Sequence, residues 1–195
     1  LAMSAKAVPL FEAVKAFIQN EIDPITAEYF RLGEGRPDRW QYGKGQLELL
    51  NSVKAKAKAQ GLWNFFLPNA ETGEGLSNLD YAYIANELGK NPLASECLNC
   101  SAPDTGNMEV LERVGTPEQK KRWLEPLLAG EIRSAYAMTE PDVASSDAKN
   151  LECRAVKDGD EWLINGEKFY ISGAGDPRCK IMICMLRTSQ DGPPH

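Results

Sequence analysis

The chain has 195 residues, of which 43% are hydrophobic and 26% charged, a balance that excludes a disordered protein and allows one large domain or two small ones. Its formal net charge of -6 excludes a surface that binds nucleic acid by neutralising phosphates. The sequence has no apolar run of 18 residues and no signal-peptide pattern, so we expect a soluble intracellular protein, cytoplasmic in a bacterium and mitochondrial or peroxisomal in a eukaryote.

The first predicted helix carries an apolar stripe at helical spacing, with Phe17 at its margin: Leu10, Phe11, Val14, Ile18 and Ile22. Asp23-Pro24 is predicted to interrupt it, because the residue before proline is disfavoured in helical conformation. A polar connector, 31–45, leads to a second helix that should end at Gln60-Gly61, where glycine can adopt a left-handed conformation. The face of this second helix consists of Leu47, Leu50, Val53 and Ala57.

Three further helical stretches follow. Asn78 is predicted to cap the first, which carries Tyr81, Ala82, Ala85 and Leu88. The second carries Met108, Leu111 and Val114. The third begins at Thr116 with a capping box to Gln119, and Pro126 is predicted to break or kink it near Glu125. Trp123 on its apolar stripe is interpreted as a core residue.

From Ile132 the apolar period changes from 3.6 towards 2, which predicts a domain boundary between 1–131 and 132–195. Residues 151–156 alternate between apolar and mostly polar positions, and the Asp158-Gly159 turn that follows predicts a hairpin. Residues 181–186 are apolar throughout, as in a strand covered on both sides. The fold class predicted is α+β, with a helical domain before a β domain.

Five cysteines without framework spacing indicate a reducing compartment, where free cysteine packs as a small hydrophobic residue. Cys97 and Cys100 form the one pair spaced for zinc or redox chemistry. A zinc site needs two more ligands at matching spacing, and the only histidine is His195, so we interpret the pair as core residues, with metal or redox use as the alternative. No Gly-x-Gly pair extends to the G-x-G-x-x-G pattern, so the sequence predicts no Rossmann site.

Two segments, Tyr136 to Pro141 and Trp162 to Ser172, resemble the two flavin-contacting strands of acyl-CoA dehydrogenases. Their order, their spacing and the helix-rich stretch before them match that family together, over nearly the whole chain. The resemblance implies an N-terminal helical bundle followed by part of an antiparallel β-barrel-like middle domain. The family's C-terminal four-helix domain carries the catalytic carboxylate; because the chain reaches His195 within the β region, we expect about half an enzyme and assign it no catalytic residue.

The resemblance assigns six FAD contacts to this chain: Tyr136, Met138, Thr139, Tyr170, Ile171 and Ser172. In the family the first segment lies along the isoalloxazine, and main-chain groups and a threonine hydroxyl contact its pyrimidine edge. The second supplies an aromatic residue packed by the ring and a hydroxyl near the reactive nitrogen. Fixed donors there would stabilise negative charge as hydride arrives. The alternative is two buried strands whose Thr139 and Ser172 hydroxyls are simply hydrogen-bonded.

Some positions differ from many family members, which have Trp and Thr at the places of Tyr170 and Ser172. The loop 142–147 resembles a branch whose animal members carry a kinase-like domain upstream and favour long acyl chains. Ser146 is the better match to a serine that contacts acyl-CoA, with Ser145 close behind, and the alternative is that either serine only forms a turn. Glu140 is structural in the family and is not expected to be the base.

By this resemblance the complete enzyme is a flavoprotein that performs FAD-dependent α,β-dehydrogenation of an acyl-CoA to trans-2-enoyl-CoA, in fatty-acid β-oxidation or related metabolism. Its implied partners are an acyl-CoA substrate, electron-transfer flavoprotein or a similar acceptor, and further copies of itself in a homodimer or homotetramer. Two other functions stay open: an oxidase or reductase of the same fold, and a non-catalytic interaction module.

Overall fold

The computed structural model describes residues 2–189, and the chain forms two compact units, 1–130 and 131–195. The first unit is helical. Its α-helices are α1 (Val8–Phe17), α2 (Asp23–Leu32), α3 (Gln46–Ala59), α4 (Asn78–Leu88), α5 (Ala94–Cys97), α6 (Asp104–Val114), α7 (Pro117–Gln119) and α8 (Glu125–Leu128). Two π-helical stretches, Ile18–Ile22 and Lys120–Leu124, join α1 to α2 and α7 to α8. The core of this unit includes Val14, Ile22, Leu50, Phe65, Ile84 and Met108.

The predicted interruption at Pro24 is wrong and no break occurs at Pro126, because the chain stays helical through both prolines. In each case the residue before the proline donates its amide to the carbonyl five residues earlier, Asp23 to Ile18 and Glu125 to Lys120. The π-turn ends there, and the proline falls in the first turn of the next α-helix, where an N–H group has no intrahelical acceptor.

The predicted end of α3 and start of α7 are confirmed. Gly61 has φ +71, and the amide of Leu62 donates to the carbonyl of Ala57 at 2.9 Å, as in a Schellman motif. Gln119 N donates to Thr116 Oγ1 at 3.3 Å while Thr116 N donates to Gln119 Oε1 at 2.9 Å, which completes the capping box.

The predicted Asn78 cap of α4 is wrong by one residue. Ser77 is the cap, and its hydroxyl accepts from Asp80 N at 3.1 Å. The buried face runs through Asp80 and Ile84, while Ala82 is exposed. The apolar pattern predicted the wrong face because an acidic residue is buried here. Ser4 and Ser77 donate hydrogen bonds to the Asp80 carboxylate and so compensate its burial.

The other helical predictions hold in part. Met108 and Leu111 of α6 are buried as predicted, but Val114, the last residue of that helix, is 77% exposed. Phe17, placed at the margin of the first stripe, is fully buried. Trp123 is half-buried.

Cys97 and Cys100 are free thiols inside the helical unit. Burial raises the pKa of both to about 12, so both are neutral at physiological pH. Both side chains are buried, which agrees with their interpretation as core residues.

The second unit contains β1 (Arg133–Ala137), β2 (Arg154–Asp158), β3 (Glu161–Asn165) and β4 (Cys179–Cys184), and a 3₁₀ turn at Ala148–Asn150. β1 pairs in parallel with β4, and β2 pairs antiparallel with β3. A parallel bridge joins Arg154 to Arg187. Within residues 2–189 these strands form two small sheets and no closed barrel.

The predicted hairpin is confirmed. Asp158 pairs with Glu161, and Gly159 takes φ +59 in the two-residue turn between them. The alternation before it is also present, since Leu151, Cys153 and Ala155 are buried and the residues between them are exposed.

Two strand predictions are wrong. The segment 162–172 is a strand only to Asn165: Gly166 takes φ +146 and Tyr170 takes φ +54, conformations that end extended pairing. The run 181–186 is not covered on both sides within the described residues, because exposed Met182 alternates with half-buried Ile181.

Candidate functional site

The first predicted segment lies where β1 ends. Tyr136 pairs with Ile183 and is 36% exposed, and the last β1 carbonyl, that of Ala137, accepts from Met185 N at 3.0 Å. Met138 and Thr139 follow as half-buried residues outside the strand. Their polar main-chain groups are therefore not used in the β1–β4 pairing.

The structure brings the two predicted segments side by side. Phe169 N donates to the Thr139 carbonyl at 2.8 Å, and Lys168 Nζ donates to the Met138 carbonyl at 3.0 Å. Four residues after Phe169, Gly173 lies against β1, where an added Cβ would be 3.5 Å from the Ser134 carbonyl. Residues 168–173 thus run alongside 134–139 in the opposite direction.

The main-chain carbonyl and N–H groups of Met138 and Thr139 differ in their hydrogen bonding. The carbonyls of Met138 and Thr139 are both occupied. Among residues 2–189 no group accepts from the N–H of either residue, and the Thr139 hydroxyl has no partner. Within the described residues this leaves two main-chain donors, and a hydroxyl that can donate or accept, without a partner. We call Met138 and Thr139 the donor edge.

Such an edge fits a planar ligand rim rich in acceptors. The pyrimidine rim of a flavin carries two carbonyl oxygens and ring nitrogens, so the donor edge at Met138 and Thr139 fits FAD chemically. Unpaired donors next to that rim stabilise charge that builds up on it during reduction.

Tyr170, Ile171 and Ser172 lie in a loop. Tyr170 is 83% exposed and contacts Phe169, with ring centroids 4.1 Å apart. The Ile171 carbonyl accepts from Ala174 N at 3.3 Å, and the exposed Ser172 hydroxyl has no partner within the described part of the chain. This arrangement does not match the alternative of a buried strand with a satisfied serine. A bulky residue with positive φ is uncommon and recurs at ligand sites.

The two serines of the 142–147 loop differ in their surroundings. Ser145 Oγ accepts from Glu140 N at 2.8 Å and donates back to the Glu140 carbonyl at 3.2 Å, so its hydroxyl closes the turn. Ser146 is exposed beside it. Asp147 caps the following turn by accepting from Lys149 N at 3.1 Å. Of the two serines, Ser146 is the one with a hydroxyl left for a ligand.

Glu140 is buried and fully engaged. Its carboxylate accepts from Glu152 N at 2.7 Å, Cys153 N at 2.9 Å and Lys168 Nζ at 2.8 Å. Burial alone would raise the pKa of Glu140, but the bonds from Lys168 and the two amides outweigh it and hold the pKa below its usual range. A carboxylate held ionised by three donors is a structural anchor, which agrees with the prediction that it is not the base.

A cleft of about 400 Å³ is lined in part by Glu140. Its lining includes Asp142, Glu152, Arg154 and Glu167. None of the eight predicted contact residues lines it, as far as the chain is described. This cleft therefore does not coincide with the predicted cofactor contacts.

Comparison with known families decides the identity. Residues 6–131 match the acyl-CoA dehydrogenase N-terminal domain, and residues 135–195 match the acyl-CoA dehydrogenase middle domain. The chain belongs to the acyl-CoA dehydrogenase family. The predicted fold class, a helical N-terminal domain followed by the β domain, is confirmed.

Individual relatives agree. The chain is 49% identical to acyl-CoA dehydrogenase family member 11 of Gallus gallus over 95% of its length, and 47% identical over its whole length to FadE2 of Mycobacterium tuberculosis, assigned as an acyl-CoA dehydrogenase. A solved structure from Mycobacterium abscessus, assigned to the same enzymes, has 48% identity and a TM-score of 0.88 over 98% of this chain. The chain spans 23%, 46% and 48% of those three proteins, respectively. The likeness to family member 11 also confirms the predicted branch.

Sequence reasoning did not single out Lys168, whose side chain joins the two segments of the candidate site. The available signal was a lysine inside the second segment, directly before Phe169-Tyr170, because a lysine that becomes buried needs an anion nearby. Separately, no helix in residues 2–189 has the length and hydrophobicity to cross a membrane.

Proposed function

We propose that residues 1–131 and 132–195 form the N-terminal domain and part of the middle domain of a FAD-dependent acyl-CoA dehydrogenase. The donor edge is the observation that carries this proposal. Its two main-chain donors and its hydroxyl suit the pyrimidine rim of the isoalloxazine, and Tyr136, Tyr170, Ile171 and Ser172 complete the contacts. Ser146, with Ser145 behind it, would contact the acyl-CoA.

Bound FAD would supply a two-electron acceptor for the β-hydrogen of the substrate, giving a trans-2-enoyl-CoA. The residues of this chain would hold the ring in place and stabilise the charge it gains. We further propose a carboxylate outside this chain as the base, electron-transfer flavoprotein or a similar acceptor, a homodimer or homotetramer, and a role in fatty-acid β-oxidation. Solved structures of the same fold include an FAD complex of PigA and a Mycobacterium smegmatis glutaryl-CoA dehydrogenase with FADH2.

The test uses the full-length natural product that carries these residues. The purified protein should be yellow, and anaerobic addition of acyl-CoA should bleach the flavin absorption. Thr139→Val removes one donor without changing side-chain shape, so flavin reduction by substrate should slow about tenfold. Thr188→Val, at an exposed position of the same unit, is the matched control and should reduce at the normal rate.

The alternatives give different results. A protein that stays colourless after FAD is added would support the non-catalytic module and overturn the proposal. Rapid peroxide production with acyl-CoA and no transfer to an electron-transfer acceptor would identify an oxidase instead.

A further inference from the structure

The Lys168 side chain connects the two segments of the candidate site. Its side chain is 12% exposed, and its ammonium group donates to the Met138 carbonyl at 3.0 Å and to Glu140 Oε1 at 2.8 Å. Glu140 in turn accepts from the amides of Glu152 and Cys153, which directly precede β2. One buried ion pair thus ties three separate stretches of chain together.

The tie has a consequence for the donor edge. A peptide at the end of a strand can turn either its carbonyl or its N–H towards a ligand. The Lys168 ammonium group donates to the Met138 carbonyl, and the amide of the next residue, Phe169, donates to the Thr139 carbonyl. With both carbonyls engaged, the main-chain groups of Met138 and Thr139 that have no partner among residues 2–189 are the two N–H donors.

We infer that Lys168 is a positioning residue for the flavin, which fixes the donor edge in its ligand-binding polarity and, with Glu140, sets the local charge beside the ring. This inference rests on the proposed function. The ion pair is neutral overall and shielded from solvent, so removing either member leaves one uncompensated charge next to Met138.

Opposite charges left behind predict opposite effects on the flavin. Lys168→Met leaves the Glu140 carboxylate, which disfavours electron gain and should lower the flavin reduction potential. Glu140→Gln leaves the ammonium group, which should raise it. A lysine whose ion pair lay far from the flavin would not produce shifts of opposite sign.

The experiment measures FAD affinity and flavin reduction potential in the full-length protein. Lys168→Met should weaken FAD binding roughly tenfold, the effect of losing hydrogen bonds to a charged group. Lys168→Gln removes the charge but keeps a donor for Met138, so it should show the same fall in potential with a smaller loss of affinity. The double variant K168M/E140Q should return the potential towards the wild-type value while FAD binding stays weak.

Lys157→Met is the matched control, since Lys157 is exposed on β2 and has no ion pair among the described residues. It should change neither quantity. If Lys168→Met cannot be purified folded, Lys168→Gln and Glu140→Gln still give the two signs of the potential shift. If the wild-type protein is yellow and is reduced by substrate, but its folded variants have unchanged flavin potentials, then the inference is wrong and the proposed function stands. A wild-type protein that takes up no FAD overturns the proposed function with it.

Discussion

Gly166 lies directly against Cys153, so closely that a Cβ at this glycine would be 2.6 Å from the Cys153 sulfur and 2.7 Å from its Cα. The backbone of Gly166 has φ +146, which side-chain-bearing residues rarely adopt. This contact sets where the chain leaves β3 and turns towards Lys168.

Gly166→Ala should therefore destabilise the second unit by about 2 to 4 kcal/mol, from backbone strain and overpacking together. Gly159→Ala is the matched control, since Gly159 also has positive φ but has no atom within 4 Å of the added Cβ. That control should cost only about 1 kcal/mol. Denaturant unfolding of both variants measures the difference, and equal losses would contradict the packing argument.

The ionised Glu140 gives the protein an acid-sensitive contribution to stability. Because its pKa is lowered in the folded state, this contribution is complete above the ordinary carboxyl pKa and is lost as the pH falls through the folded value. The free energy of unfolding should fall as the pH decreases from about 6 towards 3. Glu140→Gln should be less stable at neutral pH and show a shallower dependence, and parallel pH profiles for the two proteins would count against this role.

The capping box at Thr116 should stabilise the start of α7 measurably. Thr116→Ala removes the acceptor for Gln119 N and should cost about 1 kcal/mol. Thr116→Ser keeps that hydroxyl and should stay within a few tenths of a kcal/mol of wild type. Urea unfolding of the two variants provides the measurement. Equal stability of the alanine and serine variants would show that the bond contributes nothing.

Two lysines of α3 should differ sharply in what their ion pairs contribute. Lys54 Nζ lies 2.9 Å from Glu96 Oε1 and its side chain is 7% exposed, whereas the Lys56 side chain, paired with Glu21, is 56% exposed. Lys54→Met should cost about 2 kcal/mol, because the half-buried Glu96 carboxylate loses the ammonium group that it pairs with. Lys56→Met should cost under about 1 kcal/mol. Thermal unfolding of the two variants would reveal equal losses if burial did not matter.

Much of the fold was predictable because local chemistry decides it. The capping box at Thr116 and the glycine stop at Gly61 each need only their immediate neighbours, and both are confirmed. The hairpin at Gly159 belongs to the same class. Family membership followed from two short segments whose spacing the fold preserves.

The failures have a common physical cause. The chain stays helical at Pro24 because of a π-turn that the apolar pattern does not predict. The face of α4 was predicted wrongly because Ser4, which is distant in sequence, helps to compensate the burial of Asp80. The positive φ of Tyr170 and the partners of Lys168 likewise depend on contacts between segments. The six FAD contacts and the two serines stay predictions.

The parallel pairing of β1 with β4 also orders events during synthesis. Tyr136 cannot find Ile183 until the whole hairpin and the loop after it have left the ribosome, because a parallel partner needs a long crossover. The helices of 1–130 make their contacts among themselves and can condense earlier. The donor edge at the end of β1 therefore takes its final shape late, so a stall in translation ahead of Cys179 would leave a folded helical half attached to a strand with no partner.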